Sequence, residues 1–307
     1  MDSHEINPFS PIPPTKKGFC ASFFTFFFAF LKFPLFFISL SLSFVYTMIA
    51  SIIPIVVIKR IIIKFASKIL FKLLLYITGL LSINKQPTPL IDTYSSPQEV
   101  KNPKAGDIII SNFASYLNLL WFQSEYSPIF VIPCDETNVY VFGFFNLLIK
   151  ILSCQSLKNS NKKPLSEVVK KAKKLGFPIV IFPEGSVTNG EYIINFREFG
   201  KGLNTSEINF FIYGFIHFDY TVSPNFTIGD GFIHFLKMLG RPFSGMKIKI
   251  ALPQDIPKTE MNSIDSSWIS KCRMIMATIM GAKTVNVDGS EFEKLYSRNS
   301  KRKRKDD

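Results

Sequence analysis

The stretch Ile179-Val180-Ile181-Phe182-Pro183-Glu184-Gly185-Ser186-Val187-Thr188-Asn189-Gly190 brings one carboxylate to the end of an apolar, β-branched run. Such a run reads as a buried strand, and Pro-Glu-Gly followed by polar residues reads as the turn that ends it. Pro183 stops the ladder, and Gly185 lets backbone come close to whatever Glu184 faces. The alternative is a buried strand that leaves its sheet beside a glutamate pointing into water. Other chemistry-bearing side chains are sparse. Of the three histidines, His4, His217 and His234, none is followed five positions later by an acidic residue. In His217-Phe218-Asp219 a strand would put the imidazole and the carboxylate on one face. Cys20, Cys134, Cys154 and Cys272 are scattered without C-x-x-C spacing, which predicts reduced thiols rather than a zinc site or a disulfide framework. No metal-ligand cluster and no glycine-rich nucleotide loop is visible. Asn204-Thr205-Ser206 and Asn225-Phe226-Thr227 match the glycosylation pattern, but matches this short arise readily by chance.

The elements that would position Glu184 can be read from periodicity. Gly106-Asp107 leads into a strand at Ile108-Ile109-Ile110, then a polar turn and a helix around Leu117 to Gln123. A strand follows at Ile129 to Ile132, closed by Pro133, and Val139 to Leu152 has the length and apolarity of a helix. Ser166 to Leu175 alternates apolar and lysine positions as an amphipathic helix stopped by Gly176. Further strands are predicted at Ile208 to Phe218 and Met246 to Leu252, and a helix at Ser266 to Met280. Strands alternating with helices predict an α/β domain with a largely parallel sheet flanked by helices. No internal repeat is present.

The N-terminal part has a different composition. Hydrophobic residues make up 47% of the chain, with 33 phenylalanines, and the mean hydropathy of +0.21 is high for a soluble protein. From Phe19 to Ile58 the single charge is Lys32, and the uncharged run after it exceeds the ~20 residues needed to cross a bilayer. A cleaved signal peptide is shorter and ends in small residues, so the segment is expected to stay on the protein. Lys16 and Lys17 precede it and Lys59 and Arg60 follow it. Basic flanks at both ends favour a hairpin that enters and leaves on one face, with Pro34, Pro54 and the serines at 39, 41 and 43 as bends. A single tilted span is the alternative. Arg60, Lys64, Lys68 and Lys72 then recur every fourth residue on an otherwise apolar helix, the pattern of a helix lying among lipid headgroups. The net charge of +13 calls for an anionic partner. The apolar segment makes that partner an anionic membrane surface rather than nucleic acid. The predicted organisation is a disordered tail (1–18), a membrane anchor and interfacial helix (19–81), a linker (82–105), an α/β domain (106–290) and a basic tail (291–307).

A membrane-attached α/β domain bearing Phe182-Pro183-Glu184-Gly185-Ser186 resembles the glycerolipid acyltransferases, the lysophosphatidic acid acyltransferase type. In that family a Phe-Pro-Glu-Gly-Thr block forms part of the glycerophosphate site, and Ser186 keeps the hydroxyl of the threonine. The similarity extends over roughly 106–257, through Gly231-Phe232-Ile233-His234-Phe235 and Leu252-Pro253. It is strongest toward the fungal lysophosphatidic acid:oleoyl-CoA acyltransferase group. The family's chemistry is carried by an Asn-His-x-Ser-x-x-x-Asp block, in which the histidine is the general base and the aspartate fixes its tautomer. The matching stretch is Asn112-Phe113-Ala114-Ser115-Tyr116-Leu117-Asn118-Leu119. Phe113 occupies the histidine position, and Leu119, or Asn118 with a one-residue slip, the aspartate position. Losing a positioned base forfeits ~10²–10⁴ in rate.

What the resemblance implies is a membrane-bound enzyme that transfers an acyl group from acyl-CoA, as co-substrate and with no bound cofactor or metal, to lysophosphatidic acid or a related lysophospholipid. Its expected place is the endoplasmic reticulum or lipid-droplet surface, with the domain facing the cytosol. Ser115, Glu184, Gly185 and Ser186 are the expected pocket residues. The family's phosphate-binding arginine has no counterpart near Lys158, and Arg197 and Lys201 are the substitute candidates. A solvated basic loop is the other reading of that pair. His217 is a weak substitute for the base, a hydrogen-bonded sheet histidine being its other role. The alternative function is a catalytically silent lipid-binding or scaffold protein of the same fold.

Overall fold

Runs of isoleucine and valine pack well on a pleated sheet buried on both faces. In the computed structural model, Ile108-Ile109-Ile110 and Ile179-Val180-Ile181 pair in parallel at the centre of such a sheet. The structure describes residues 7–13, 19–90, 101–218, 222–259 and 262–292. In chain order the elements begin with helices α1 (Phe19–Ile52) and α2 (Val56–Ile77). Then come β1 (Leu80–Thr88), β2 (Ile108–Ser111), α3 (Tyr116–Glu125), β3 (Ile129–Pro133), β4 (Asn138–Phe142) and α4 (Phe144–Leu152). They continue as β5 (Lys162–Pro164), α5 (Leu165–Leu175), β6 (Ile179–Ile181), β7 (Tyr192–Ile193) and β8 (Phe210–Phe218). The last are α6 (Gly231–Leu239), β9 (Ser244–Ala251), α7 (Ser266–Met280) and β10 (Lys283–Thr284).

Among the described residues, one sheet has the order β1-β9-β8-β2-β6-β3-β4-β5. Its centre, β8, β2, β6 and β3, is parallel. Pairing turns antiparallel at β8–β9, β3–β4 and β4–β5. Successive side chains point to opposite faces. Ile109, Val180, Phe182, Tyr213 and Phe215 therefore pack under α3, α4 and α6. Ile108, Ile110, Ile179, Ile181 and Ile212 pack under α5 and α7. The predicted α/β class, with a largely parallel sheet between helices, is what forms.

Four local expectations differ. Residues 80–88, read as the end of the interfacial helix (to 81) and the start of the linker (from 82), form β1, which runs parallel to β9. Pro87 sits comfortably there because β1 is an edge strand and loses no ladder bond for want of an N–H. The stretch 139–152, read as one helix, divides at Gly143 into β4 and α4, since Val139, Tyr140 and Val141 favour a strand. The tail at 7–13 is not free: Phe9 is 1% exposed and packs with Ile194 and Phe292. Two further expected linker and tail segments, 91–100 and 293–307, lie outside the described residues, as does Asp219 beside His217.

The fourth difference concerns the anchor. No bend occurs at the serines: α1 is one helix of 34 residues with Pro34 inside it, about 51 Å long at ~1.5 Å per residue. Ser43 and Thr47 donate their hydroxyls to the carbonyls of Ser39 and Ser43, so these side chains are satisfied by the helix itself. The reversal comes at Ile53-Pro54-Ile55, and α2 is the returning arm. Lys59 donates to the Ser51 carbonyl at 3.2 Å and the Tyr46 hydroxyl to that of Ile62. Both arms lean on the α/β domain, α1 through Phe36 on Phe235 (4.7 Å between ring centroids) and α2 through Phe71 on Phe144 (4.6 Å). Their outer faces remain apolar and open, with Phe26, Phe30, Ile52 and Phe65 each more than two-thirds exposed. The basic stripe of α2 is only partly outward. Arg60 crosses Gly176 at the end of α5, and Lys72 pairs with Glu125 of α3 at 3.4 Å, while Lys64 and Lys68 are exposed.

Candidate functional site at the carboxyl ends of the strands

In open α/β sheets ligands bind beyond the carboxyl ends of the parallel strands. Here those ends carry His217 on β8, Asn112 to Ser115 after β2, Glu184 to Ser186 after β6, and Cys134 after β3. Asn112 ties the first two: its Oδ1 accepts from the Phe215 N–H at 2.8 Å and its Nδ2 donates to the Phe215 carbonyl at 3.3 Å. Ser115 caps α3 by accepting from the Leu117 N–H at 3.1 Å and donates to the Pro224 carbonyl at 2.7 Å.

Glu184 does not point into water. It is fully buried, its Oε2 accepts from the Phe113 N–H at 3.0 Å, and its Oε1 accepts from the Ile194 N–H at 3.3 Å. Burial pushes the carboxyl up to about 8, against the opposing pull of these two donors and of the Arg273 guanidinium. Arg273, on α7, donates to the carbonyls of Ile193 (3.3 Å) and Val285 (2.7 Å). Its helix was expected but its charge beside Glu184 was not, because 89 positions separate the two and only the sheet order brings them together. The Thr188 N–H donates to the Phe113 carbonyl at 2.9 Å, closing the loop onto the end of β2.

Gly185 and Arg197 meet. Gly185 has φ +70°, and a Cβ there would lie 2.3 Å from Arg197 Nε. The guanidinium thus lies across the Gly185 backbone, with its NH1 donating to the Pro133 carbonyl at 3.3 Å. Lys201 is apart from them, exposed and paired with Glu136 in the β3–β4 turn. Ser186 is 2% exposed, and its hydroxyl has no hydrogen-bond partner among the described residues. Gly289 passes over it, where a Cβ would come within 2.9 Å of that oxygen. The N-terminal segment closes the other side: the Asn189 N–H donates to the Pro8 carbonyl at 2.8 Å and Asn189 Nδ2 to that of Ser10 at 3.3 Å. These closures were not legible, since nothing in Asn7 to Pro13 marks a docking segment except one phenylalanine.

Phe113 is fully buried and stacks on Phe182 with centroids 4.1 Å apart. Leu119 is likewise in the core, packed with Phe122 and Leu120. Asn118 is different. Its Oδ1 lies 3.1 Å from His217 Nε2, so the residue one step from the aspartate position meets the substitute histidine. Burial, and then the nearby Arg241 charge, push His217 down to about 3. It is therefore a neutral imidazole with little capacity to hold a proton. No group of three or more His, Cys, Asp or Glu among the described residues could hold a metal ion.

No protein-family model matches the chain. Lysophospholipid acyltransferase LPEAT1 of Arabidopsis thaliana is 27% identical over 243 residues, 72% of this chain and 59% of the relative. A Schizosaccharomyces pombe protein, provisionally named a lysophosphatidic acid:oleoyl-CoA acyltransferase, is 31% identical over 170 residues, 54% of this chain and 53% of the relative. The chain thus spans between half and three-fifths of the length of these curated relatives. The crystal structure of the 1-acyl-sn-glycerophosphate acyltransferase PlsC from Thermotoga maritima aligns over 85% of this chain and 95% of its own, at 13% identity and a TM-score of 0.34, too loose to argue from. The sequence relatives of this chain are lysophospholipid acyltransferases.

Proposed function

We propose that the chain is an acyl-CoA-dependent acyltransferase that converts lysophosphatidic acid to phosphatidic acid at a membrane surface. The observation that carries this reading is the position of Glu184. In a chain whose relatives are lysophospholipid acyltransferases, it sits at the carboxyl edge of the sheet and fixes two loops through both oxygens. The apolar outer faces of α1 and α2 fit a membrane-bound enzyme, α1 being long and apolar enough to cross a bilayer. The cytosolic face of the endoplasmic reticulum, or a lipid droplet, is the location we assign.

In this reading the acceptor hydroxyl attacks the thioester carbonyl directly. An ester C–O bond forms, the C–S bond breaks, and the hydroxyl proton ends on the departing thiol. The Gly185 backbone with Arg197 across it serves the acceptor phosphate, Arg197 offering a planar fork of donors. Ser115 and Ser186 complete the pocket, and Lys201, paired with Glu136 away from it, takes no part. With Phe113 in the core and His217 pushed far down, positioning of the two substrates supplies most of the rate.

A second reading, a membrane-bound lipid binder without turnover, is favoured by the Phe113–Phe182 stack, which fills the position of the family's base. Acyl transfer from labelled oleoyl-CoA to lysophosphatidic acid by the purified chain separates the two. Product above the background of a Glu184→Gln variant is expected. No product excludes the enzyme, and product unaffected by the substitution excludes this placement of the site.

A further inference from the structure

Arg273 of α7 bridges the two short strands beside Glu184. Its NH2 donates to the Ile193 carbonyl of β7 at 3.3 Å and to the Val285 carbonyl, just past β10, at 2.7 Å. The strands pair in parallel, Lys283 beside Tyr192 and Thr284 beside Ile193. The Val285 N–H donates to the same Ile193 carbonyl at 3.1 Å. One guanidinium nitrogen thus ties both strands to α7. A two-stranded ribbon this short has little stability of its own, so its place depends on such ties.

Each strand leads into the site. Ile194, next after Ile193, donates its N–H to Glu184 Oε1 at 3.3 Å. Beyond Val285 the chain is held again, by the Asn195 N–H on the Val287 carbonyl at 3.0 Å. Gly289 then packs directly on the turn, where a Cβ would stand 2.4 Å from the Glu184 carbonyl oxygen and 2.9 Å from the Ser186 hydroxyl.

The charge of Arg273 acts on the same residue. Both Glu184 oxygens accept from N–H groups, a task for a carboxylate, and protonation turns one of them into a donor. Burial favours the protonated form and the Arg273 guanidinium opposes it. Arg197 lies across the neighbouring Gly185, while Glu191 and Asp288, in the segments flanking the ribbon, are exposed. Arg273 Nε has no hydrogen-bond partner among the described residues.

We propose that Arg273 is a positioning residue for acyl transfer, fastening the 193–194 and 285–289 segments against the turn and holding Glu184 as the carboxylate that accepts from both loops. It acts through Glu184 and so rests on the role given to that residue above.

The test follows Glu184 with and without turnover, in the full chain in detergent. The infrared band of its protonated carboxyl, identified by its loss in Glu184→Gln, is titrated against pH. Arg273→Met is expected to raise the midpoint by ~1 pH unit or more, and Arg273→Lys, which keeps the charge, to restore it. Acyl transfer from oleoyl-CoA to lysophosphatidic acid is expected to rise as Glu184 ionises, and this limb should move with the midpoint in Arg273→Met. Arg273→Gln carries the comparison if the methionine variant does not fold. An unmoved midpoint overturns the proposal, as does a lysine variant that behaves like the methionine one. A limb that stays while the midpoint moves overturns the role in the reaction. Absence of acyl transfer by the unsubstituted chain overturns the proposed function instead, and the infrared midpoint still decides whether Arg273 holds Glu184 ionised.

Discussion

The ring of Phe113 lies flat against that of Phe182, 4.1 Å between centroids and inclined by 13°. Phe182 in turn stacks on Phe130 at 6.1 Å, so an aromatic column occupies the position that the family resemblance gives to its histidine. Restoring the histidine alone is therefore expected to fail. Phe113→His buries a polar ring with no free acid to orient it, since Leu119 is apolar, Asn118 is engaged by His217, and the nearby Glu184 carboxyl is already held by the Phe113 and Ile194 N–H groups. Denaturation should show a loss on the order of 1–3 kcal/mol, and acyl transfer should not rise. A variant both stable and faster would show that the column can open.

Gly185→Ala is expected to destabilise by ~1–3 kcal/mol, through the unfavourable positive φ and the clash with Arg197. Combining it with Arg197→Ala removes the clash but not the backbone strain. The double variant should recover part of the loss, and strictly additive melting data would place Arg197 elsewhere.

Stability should peak near pH 6.5. Glu184 titrates about 8 in the folded chain against an ordinary 4.5. Between those values the folded chain holds a proton the unfolded chain has lost, so stability falls as pH rises. His217 and His234 are depressed to about 3 and about 4 from 6.5. Below 6.5 the unfolded chain takes up protons that the folded chain refuses, so stability falls as pH drops. Melting temperature against pH, with Glu184→Gln flattening the alkaline limb, checks both signs. A steady rise from pH 6.5 to 8 would contradict the Glu184 assignment.

Phe9→Ala should cost ~3–5 kcal/mol as a large-to-small change among Ile194 and Phe292. It should also speed hydrogen exchange at the Asn189 amide, which donates to Pro8. Exchange at the Asn112–Phe215 link, on the far side of the site, should stay unchanged.

The same segment bears on topology. Residues on both sides of α1 touch one α/β domain: Phe9 before it and, after it, α2 through Phe71. Protease added to sealed vesicles is therefore expected to reach tags placed at either terminus. Protection of the N-terminal tag alone would mean that α1 crosses the bilayer and Phe9 leaves its pocket.

Strands β2, β3, β6, β8 and β9, the helix at Ser266 to Met280 and the Glu184 turn could be read from the sequence because β-branched runs and a 3.6-residue period report locally on burial. The edge strand β1 could not, since its prolines mimic a linker and its partner β9 lies more than 150 positions away. The site divided along the same line. Asn112, Ser115 and Glu184 belong to contiguous blocks and could be picked out as candidates. Arg273, Arg241 and the pairing of Asn118 with His217 arise from sheet order alone. Composition gave the long apolar segment and Pro54 among its candidate bends, but not which candidate turns the chain; the serines do not, because their hydroxyls are bonded within α1.

The contact between Phe9 and Phe292, 5.5 Å between ring centroids, also orders the birth of the molecule. During synthesis Phe9 emerges long before Phe292, so its pocket stays incomplete until Phe292 has been made. The inner face of α1 likewise waits for α6, and that of α2 for α3. Until those elements are made, the nascent chain therefore displays apolar helix faces short of their protein partners, and a bilayer or chaperone must shelter them.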